Sequence, residues 1–215
     1  MKVAVSILDC DFLRLREELD AVVRAGADAI HLDVMDGHFV PNLSFGVPLA
    51  RAVRSAVSLP VRTHLMVAEP EWIIEKFLPY SDRVIFHVES TEVPDQCLET
   101  ILSAGRGAGI SLNPNTDVAT LKPFLGRVED VLVMSVYPGF GGQEFIPETL
   151  DRIRQVRRLI KETDSQATIS VDGGVNASVC RALSAAGVET LVAGSAIFSS
   201  KDYADAIRAL KCSSC

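Results

Sequence analysis

The chain has four histidines among its 215 residues, and two of them fall in one short stretch, HLDVMDGHFVP, residues 31 to 41, beside two aspartates. Strand alternation puts His31, Asp33 and Met35 on one face, with Leu32 and Val34 on the other. His31 and Asp33, at i and i+2, then offer two donor groups about 7 Å apart along the backbone. His64, in THLMV, and Asp172, in SVDGG, add a second imidazole and a second carboxylate. Two imidazoles and two carboxylates suit one divalent transition-metal ion such as Zn, Fe, Mn or Co. With room left for substrate oxygens, such an ion acts as a Lewis acid. The chemistry this set suits is proton abstraction next to a carbonyl. Asp33 and Asp172 flank one carbon, one taking a proton and the other returning one to the far face, so the stereocentre inverts.

Glycines gather in three other places: YPGFGGQEF (137–145), DGG (172–174) and GS (194–195). Glycine lets backbone N–H groups approach a ligand closely, and a helix opening after GSAIF would point its positive end at the same place. Met35, Met66 and Met134 form a ring of thioethers beside the proposed metal. They are either ordinary packing or a soft, water-excluding lining for a reactive carbanion. His87, in FHVES, reads equally well as a hydrogen-bonded core residue or a functional one. Asp36 and His38 lie past a strand end, where Gly37 turns the chain, and are expected to shape the loop.

These side chains need elements that bring them together, because a buried charge without a partner is costly. Short apolar runs recur at 3–8, 29–35, 61–67, 83–89, 110–113, 130–136, 168–172 and 190–194. Each precedes a helix-period segment: DFLRLREELDAVVRAG, with a stripe of Leu13, Leu15, Leu19, Val22 and Val23, then PLARAVRSAV, EPEWIIEKFL and PDQCLETILSAGRGAG. After these come a short helix near 117–124, PETLDRIRQVRRLIKET, ASVCRALSAAG and a last helix through Ile207 and Leu210. Eight βα units with no linker between them predict a single-domain (β/α)8 TIM barrel spanning 1–215. A doubly wound sheet would want a Gly-rich first turn, and SILDCDF has none. In a barrel, chemistry lies at the C-terminal ends of the strands. Ser6, His31, Asp33, His64, Asn113, Ser135 and Asp172 all fall within or at the ends of these runs. The loops after strands seven and eight are also where this architecture often holds phosphate.

Composition narrows the class. Aromatics are 6% of the chain, so the core must be aliphatic, as in a buried parallel sheet. The net charge of -7 argues against a nucleic-acid or membrane-surface partner. No apolar run approaches a membrane span, and the start does not read as a signal peptide, so a cytoplasmic protein is expected. Five scattered cysteines fit a reducing compartment. Cys212 and Cys215 form a C-x-x-C with no following helix to lower a thiolate pKa, and are expected in a short flexible tail near 211–215.

In SIL, HLDVMDGHFVPNLSFG, HLMV, NP-x-T, VLVMSVYPGFGGQEF, VDGG and GSAIF, in that order along nearly the whole chain, the sequence resembles the ribulose-phosphate 3-epimerase family. The resemblance implies metal binding at His31, Asp33, His64 and Asp172, with Asp33 and Asp172 as the acid/base pair. It implies Ser6 and His31 near the sugar and a phosphate held by Gly142, Gly173, Gly174, Gly194 and Ser195. It also implies that the loop Gly139, Phe140, Gly141 and Gly142 closes over a small phosphorylated ketose, in a homo-oligomer. Three positions depart from the family pattern: Val5 in place of proline, Arg62 in place of an acidic residue, and Tyr137 in place of a smaller polar one. The implied reaction is the interconversion of D-ribulose 5-phosphate and D-xylulose 5-phosphate. Allulose 6-phosphate is an alternative substrate with the same chemistry, and a non-catalytic sugar-phosphate-binding barrel an alternative role. A decarboxylase of similar architecture would want a lysine at a strand end, where none is found.

Overall fold

Runs rich in Val, Ile and Leu form strands because both of their faces are covered, one by the other strands across the barrel and one by helices. In the computed structural model, which describes residues 1–211, eight such strands close into a parallel barrel in chain order. They are β1 Lys2–Ser6, β2 Ala29–Met35, β3 Val61–Met66, β4 Arg83–His87, β5 Gly107–Leu112, β6 Asp130–Met134, β7 Thr168–Asp172 and β8 Thr190–Ala193. The helices are α1 Leu15–Arg24, α2 Val47–Ala56, α3 Ile74–Phe77, α4 Pro94–Ser103, α5 Thr149–Glu162, α6 Ala177–Ala186, α7 Ser195–Phe198 and α8 Tyr203–Leu210. The expected TIM barrel is the observed fold.

Helix faces follow the apolar spacing. In α5, Ile153, Val156 and Ile160 bury one stripe against the sheet. In α6, the Asn176 side chain accepts from Ser178 N at the start, and Gly187 (φ 102°) ends the helix in a left-handed conformation. Outside the barrel wall, Ile30, Leu32 and Val34 of β2 join the large core shared with the helices.

The inside of the barrel is layered. A central plug of Ala4, Ala29, Ile85, Leu132 and Val192 fills its waist. Gly109 faces that plug because a Cβ there would lie 2.7 Å from Ile85 Cγ1. Below it, toward the strand N-termini, Arg62 is buried, its Nη2 donating to Asp130 Oδ2 (2.6 Å) and Ser170 Oγ (2.9 Å). Asp130 Oδ1 also accepts from Ser170 Oγ (2.7 Å), so the buried guanidinium and carboxylate are held in one network. Above the plug lie the histidines and aspartates.

Several boundaries differ from the sequence expectation. EPEWIIEKFL is not one helix: Glu69 is left-handed (φ 50°), and prolines at 70 and 79 start separate 3-10 turns on either side of the four-residue α3. The segment near 117–124 forms only a 3-10 turn at Val118–Leu121, capped by Asp117. Strand five begins earlier than expected, at Gly107, and α4 stops at Ser103. The last unit contains two helices, α7 and α8, rather than one. Leu13 does not join the stripe of α1; it sits in a 3-10 turn before that helix and is 98% exposed. Lys211 is tied down, with Nζ 2.9 Å from Asp28 Oδ2. The Cys212 and Cys215 pair lies outside the described residues. Among the described residues no helix is long and apolar enough to cross a membrane.

The buried ionic layer makes a stability prediction. Asp130→Ala would leave the Arg62 guanidinium buried and unpaired, which costs about 3–5 kcal/mol in urea unfolding. Asp20→Ala breaks only the exposed pair with Arg16 (3.0 Å) and should cost less than about 1 kcal/mol. Equal losses for the two variants would show that the lower layer carries no such weight.

Candidate active site

Strand pairing assembles the polar cluster above the plug. Asp33 of β2 is the register partner of His64 on β3, and Asp172 of β7 is the partner of Met134 on β6. His31 and His64 are fully buried, and Asp33 is 3% exposed. Four donor atoms alternate around a ring. His31 Nε2 lies 3.3 Å from Asp33 Oδ1, which lies 3.3 Å from His64 Nδ1. His64 Nδ1 lies 3.5 Å from Asp172 Oδ2, which closes the ring at 3.7 Å from His31 Nε2. Burial pushes the Asp33 carboxyl up, but the neighbouring imidazoles of His31 and His64 outweigh it and hold it well below the usual carboxylate range.

This ring fits a divalent cation. Its four donor atoms all lie within 4.8 Å of one another. Donors about 2.1 Å from a transition-metal ion sit roughly 3.0–3.4 Å from their neighbours, close to the 3.3–3.7 Å between neighbouring donors of this ring. Both ring nitrogens of His31 are buried without a hydrogen bond, an expensive state unless something else satisfies them. His64 points to the same conclusion. His87, fully buried, has its Nε2 2.9 Å from His64 Nε2 and its Nδ1 3.3 Å from Glu89 Oε2. Glu89 Oε1 accepts from Asn113 N (2.7 Å) and from the Thr116 hydroxyl. Although burial opposes it, hydrogen bonds and charge from His87, with help from Thr116 and Asn113, hold its carboxyl low, so it only accepts. Burial pushes His87 down to about 4, despite Glu89, so its ring is neutral and has one N–H.

The Glu89 carboxylate 3.3 Å away favours that proton on Nδ1, although the contact lacks hydrogen-bond geometry, and His87 Nε2 is then an acceptor. His64 Nε2–H must then donate to it, and a neutral His64 turns the lone pair of Nδ1 toward two carboxylates. A proton or a cation has to sit there. Although burial opposes it, Asp172 and Asp33 raise the pKa of His64, so the position draws a proton wherever no cation holds it. His87 and Glu89 therefore belong to the site as positioning residues. The sequence left His87 open between two readings, because its role depends on Glu89 and on the loop after β5.

Above the ring lies a chamber that opens toward solvent. Ser6, Asp33 and Asp172 line it, with Met35, Met66 and Met134 as the soft wall. Its other side is made by Gly139, Phe140, Gly141 and Gly142, by Gly173 and Gly174, and by Gly194 and Ser195. Every residue picked out from the sequence for substrate contact, apart from buried His31 and His64, therefore lies on one chamber. Ser6 Oγ donates to Asp33 Oδ2 (2.6 Å), which orients that carboxylate. Ser135 fixes the end of β7, its Oγ donating to the carbonyls of Asp172 (2.8 Å) and Gly173 (2.5 Å).

The glycines have a second cause that the sequence did not show. A Cβ at Gly173 would lie 2.3 Å from Val136 Cγ2, and one at Gly174 would lie 2.3 Å from Phe145 N. Both also have positive φ, so close packing of the chain against itself requires glycine there even without a ligand. Asp36 is a loop-shaping residue: its Oδ1 accepts from His38 N and Phe39 N, and its Oδ2 from Ala68 N. The same loop supplies Asn42, whose Nδ2 donates to Gly139 O (2.7 Å) and ties the 139–142 loop over the chamber. Tyr137, a departure from the family pattern, points outward, its hydroxyl donating to Asn115 Oδ1 (2.8 Å). Val5, another departure, is simply core, and nothing in its surroundings calls for proline. The sequence reading also missed Asp9, which lines the chamber from the 3-10 turn after β1. Its place just beyond a strand end was the available signal.

The comparisons with known proteins agree with this geometry. The family model described as the ribulose-phosphate 3 epimerase family matches residues 2–198. The ribulose-phosphate 3-epimerase of Escherichia coli K12 is 42% identical over 203 residues, covering 94% of this chain and 90% of that protein. Its namesake in Methanocaldococcus jannaschii is 40% identical over 211 residues, covering 98% and 90%. The one from Mycobacterium tuberculosis H37Rv is 41% identical over 214 residues, covering 97% and 91%. Among solved structures, a 3-hexulose-6-phosphate synthase superposes with a TM-score of 0.73 at 19% identity, over 98% of each chain. The orotidine 5'-phosphate decarboxylase of Pyrococcus horikoshii OT3 superposes at 0.70 and 14% identity, over 97% of this chain and 96% of that one. At such identities these two share the barrel alone. By sequence match over nearly its whole length, the chain belongs to the ribulose-phosphate 3-epimerase family.

Proposed function

We propose that this chain is a metal-dependent epimerase interconverting D-ribulose 5-phosphate and D-xylulose 5-phosphate, with Asp33 and Asp172 exchanging the proton at C3. The observation that supports this best is the pair of carboxylates brought to one chamber from β2 and β7 and bridged by His31 and His64. The ketone at C2 acidifies the C3 proton. One carboxylate takes that proton, and the electron pair left behind moves into a C2–C3 double bond as charge collects on O2. The other carboxyl group gives a proton to C3 from the opposite face, the double bond returns to C2–O2, and the configuration is inverted. The two carboxylates then hold exchanged protonation states, which suits the reverse reaction.

A divalent ion held by His31, Asp33, His64 and Asp172 (Zn, Fe, Mn or Co) supplies, when bound, positive charge beside the oxygens where negative charge gathers. Ser6 keeps Asp33 aimed through its hydrogen bond to Oδ2. The side chains of Met35, Met66 and Met134 are 5% exposed or less and present no group that could protonate the carbanion prematurely. Backbone N–H groups of Gly142, Gly173, Gly174, Gly194 and Ser195 would hold the phosphate, under the loop of Gly139, Phe140, Gly141 and Gly142. No lysine lines the chamber among the described residues, which favours epimerization over decarboxylation. The same reading includes a cytoplasmic setting and assembly into a homo-oligomer.

Purified protein supplied with Zn, Fe, Mn or Co salts should convert either pentulose phosphate to the other in deuterium oxide, with deuterium entering at C3. Failure to exchange on any ketose phosphate would exclude the reaction. Asp33→Asn and Asp172→Asn should each lower kcat by about 10²–10⁴-fold, while circular dichroism stays native. A variant that keeps most of its turnover would remove its carboxylate from the mechanism. His87→Ala deprives His64 of its acceptor and should weaken metal affinity by about 10- to 100-fold, read by chelator competition on the intact protein. Unchanged affinity would mean that His87 only fills space.

A further inference from the structure

Among the described residues three carboxylates line the chamber, Asp9, Asp33 and Asp172, and no lysine or arginine does. Asp33 and Asp172 are matched by His31 and His64. Asp9 has no ion-pair partner among the described residues, yet it sits among the glycines. A Cβ at Gly141 would lie 2.3 Å from its Oδ1, and one at Gly194 would lie 3.1 Å from its Oδ2. These distances put its carboxylate against the backbone at Gly141 and Gly194, among the N–H groups that a phosphate oxygen would use. Burial first, and then the charges of Asp33 and Asp172, push its carboxyl up, while the Ser195 N–H pulls it down. The position is set by local structure: Ser6 Oγ caps the 3-10 turn Ile7–Asp9 by accepting from Leu8 N, with Ile7 and Cys10 buried on either side of the rim.

We propose that Asp9 is a tethered anion that occupies the phosphate cradle of the free protein and competes with the substrate's phosphate for it. The inference rests on the phosphate-cradle reading above. With no cationic side chain in the chamber, the phosphate end depends on backbone N–H groups and on the distant metal charge. One carboxylate beside the backbone of Gly141 and Gly194 therefore weighs heavily against it. The phosphate has to displace Asp9 toward solvent, and Asp9 returns as the phosphate leaves. Asp9 thus lowers affinity at the phosphate end and favours release of a phosphorylated product.

The test uses the metal-loaded protein with three substitutions: Asp9→Asn keeps the shape and removes the charge, Asp9→Ser shortens the side chain as well, and Asp9→Glu keeps the charge. Inorganic phosphate is the probe, as a competitive inhibitor, alongside KM for ribulose 5-phosphate. Asp9→Asn and Asp9→Ser should lower both the phosphate Ki and KM by roughly tenfold, with no such gain in kcat/KM on unphosphorylated ribulose. Asp9→Glu should show no gain. If phosphate inhibits wild type, Asp9→Asn and Asp9→Ser with the same Ki, Asp9 does not compete for the cradle and the inference is overturned, while the cradle stands. If phosphate inhibits none of them although all turn over, the cradle reading itself fails and takes this inference with it.

Discussion

Two carboxylates and two imidazoles, removed from water at one end of a barrel, set the terms for the rest of this structure. Unpaired, such groups would each cost several kcal/mol or abandon their charge. They are tolerable because the parallel register delivers them to one point. His31 and Asp33 come from alternate positions on β2, His64 lies directly across from Asp33, and Asp172 reaches in from β7. The plug of Ala4, Ala29, Ile85, Leu132 and Val192 separates this ring from the second ionic layer around Arg62 and Asp130. Charge is thus confined to the two ends of the barrel, with a dry waist between them.

The surroundings act on that ring by hydrogen-bond direction more than by proximity. A single chain of contacts, from Glu89 through His87 to His64, decides which nitrogen of His64 faces the carboxylates. Glu89 is in turn fixed by Asn113 and Thr116, and Arg152 Nη2 ties that loop further by donating to the Asn113 and Thr116 carbonyls. The tautomer at the centre is therefore set by residues on β4 and the loop after β5. On the other side, the excursion after β2 is built on Asp36 and reaches the glycine loop through Asn42. Both kinds of support come from βα loops, the end of the barrel where variation leaves the core intact.

Much of this was legible in the sequence because it depends on period. Alternation along HLDVM separates ring residues from core residues, and the recurrence of aliphatic runs gives eight strands and their order. What could not be read depends on contacts between distant segments. His87 was ambiguous because a lone histidine carries no sign of its partner's tautomer. Asp9 escaped notice because the 3-10 turn that aims it follows no apolar period. The third helix read as continuous because WIIEKF has a good stripe; a left-handed Glu69 and two prolines break it. Leu13 fits the α1 stripe by spacing and is exposed because the chain has not yet entered the helix. The glycines at 173 and 174 were assigned to ligand approach, whereas the Val136 side chain and the Phe145 backbone already exclude a Cβ there.

The claim on which the others rest is that one cation satisfies the ring of His31 Nε2, Asp33 Oδ1, His64 Nδ1 and Asp172 Oδ2. Anomalous diffraction from crystals grown with Co or Zn and no chelator tests it most directly. The structure requires a single strong peak enclosed by these four atoms, at about 2.0–2.2 Å from each, with His87 Nε2 facing away from the ion. An empty ring in metal-replete crystals, with His64 turned so that Nε2 faces the carboxylates, would contradict it.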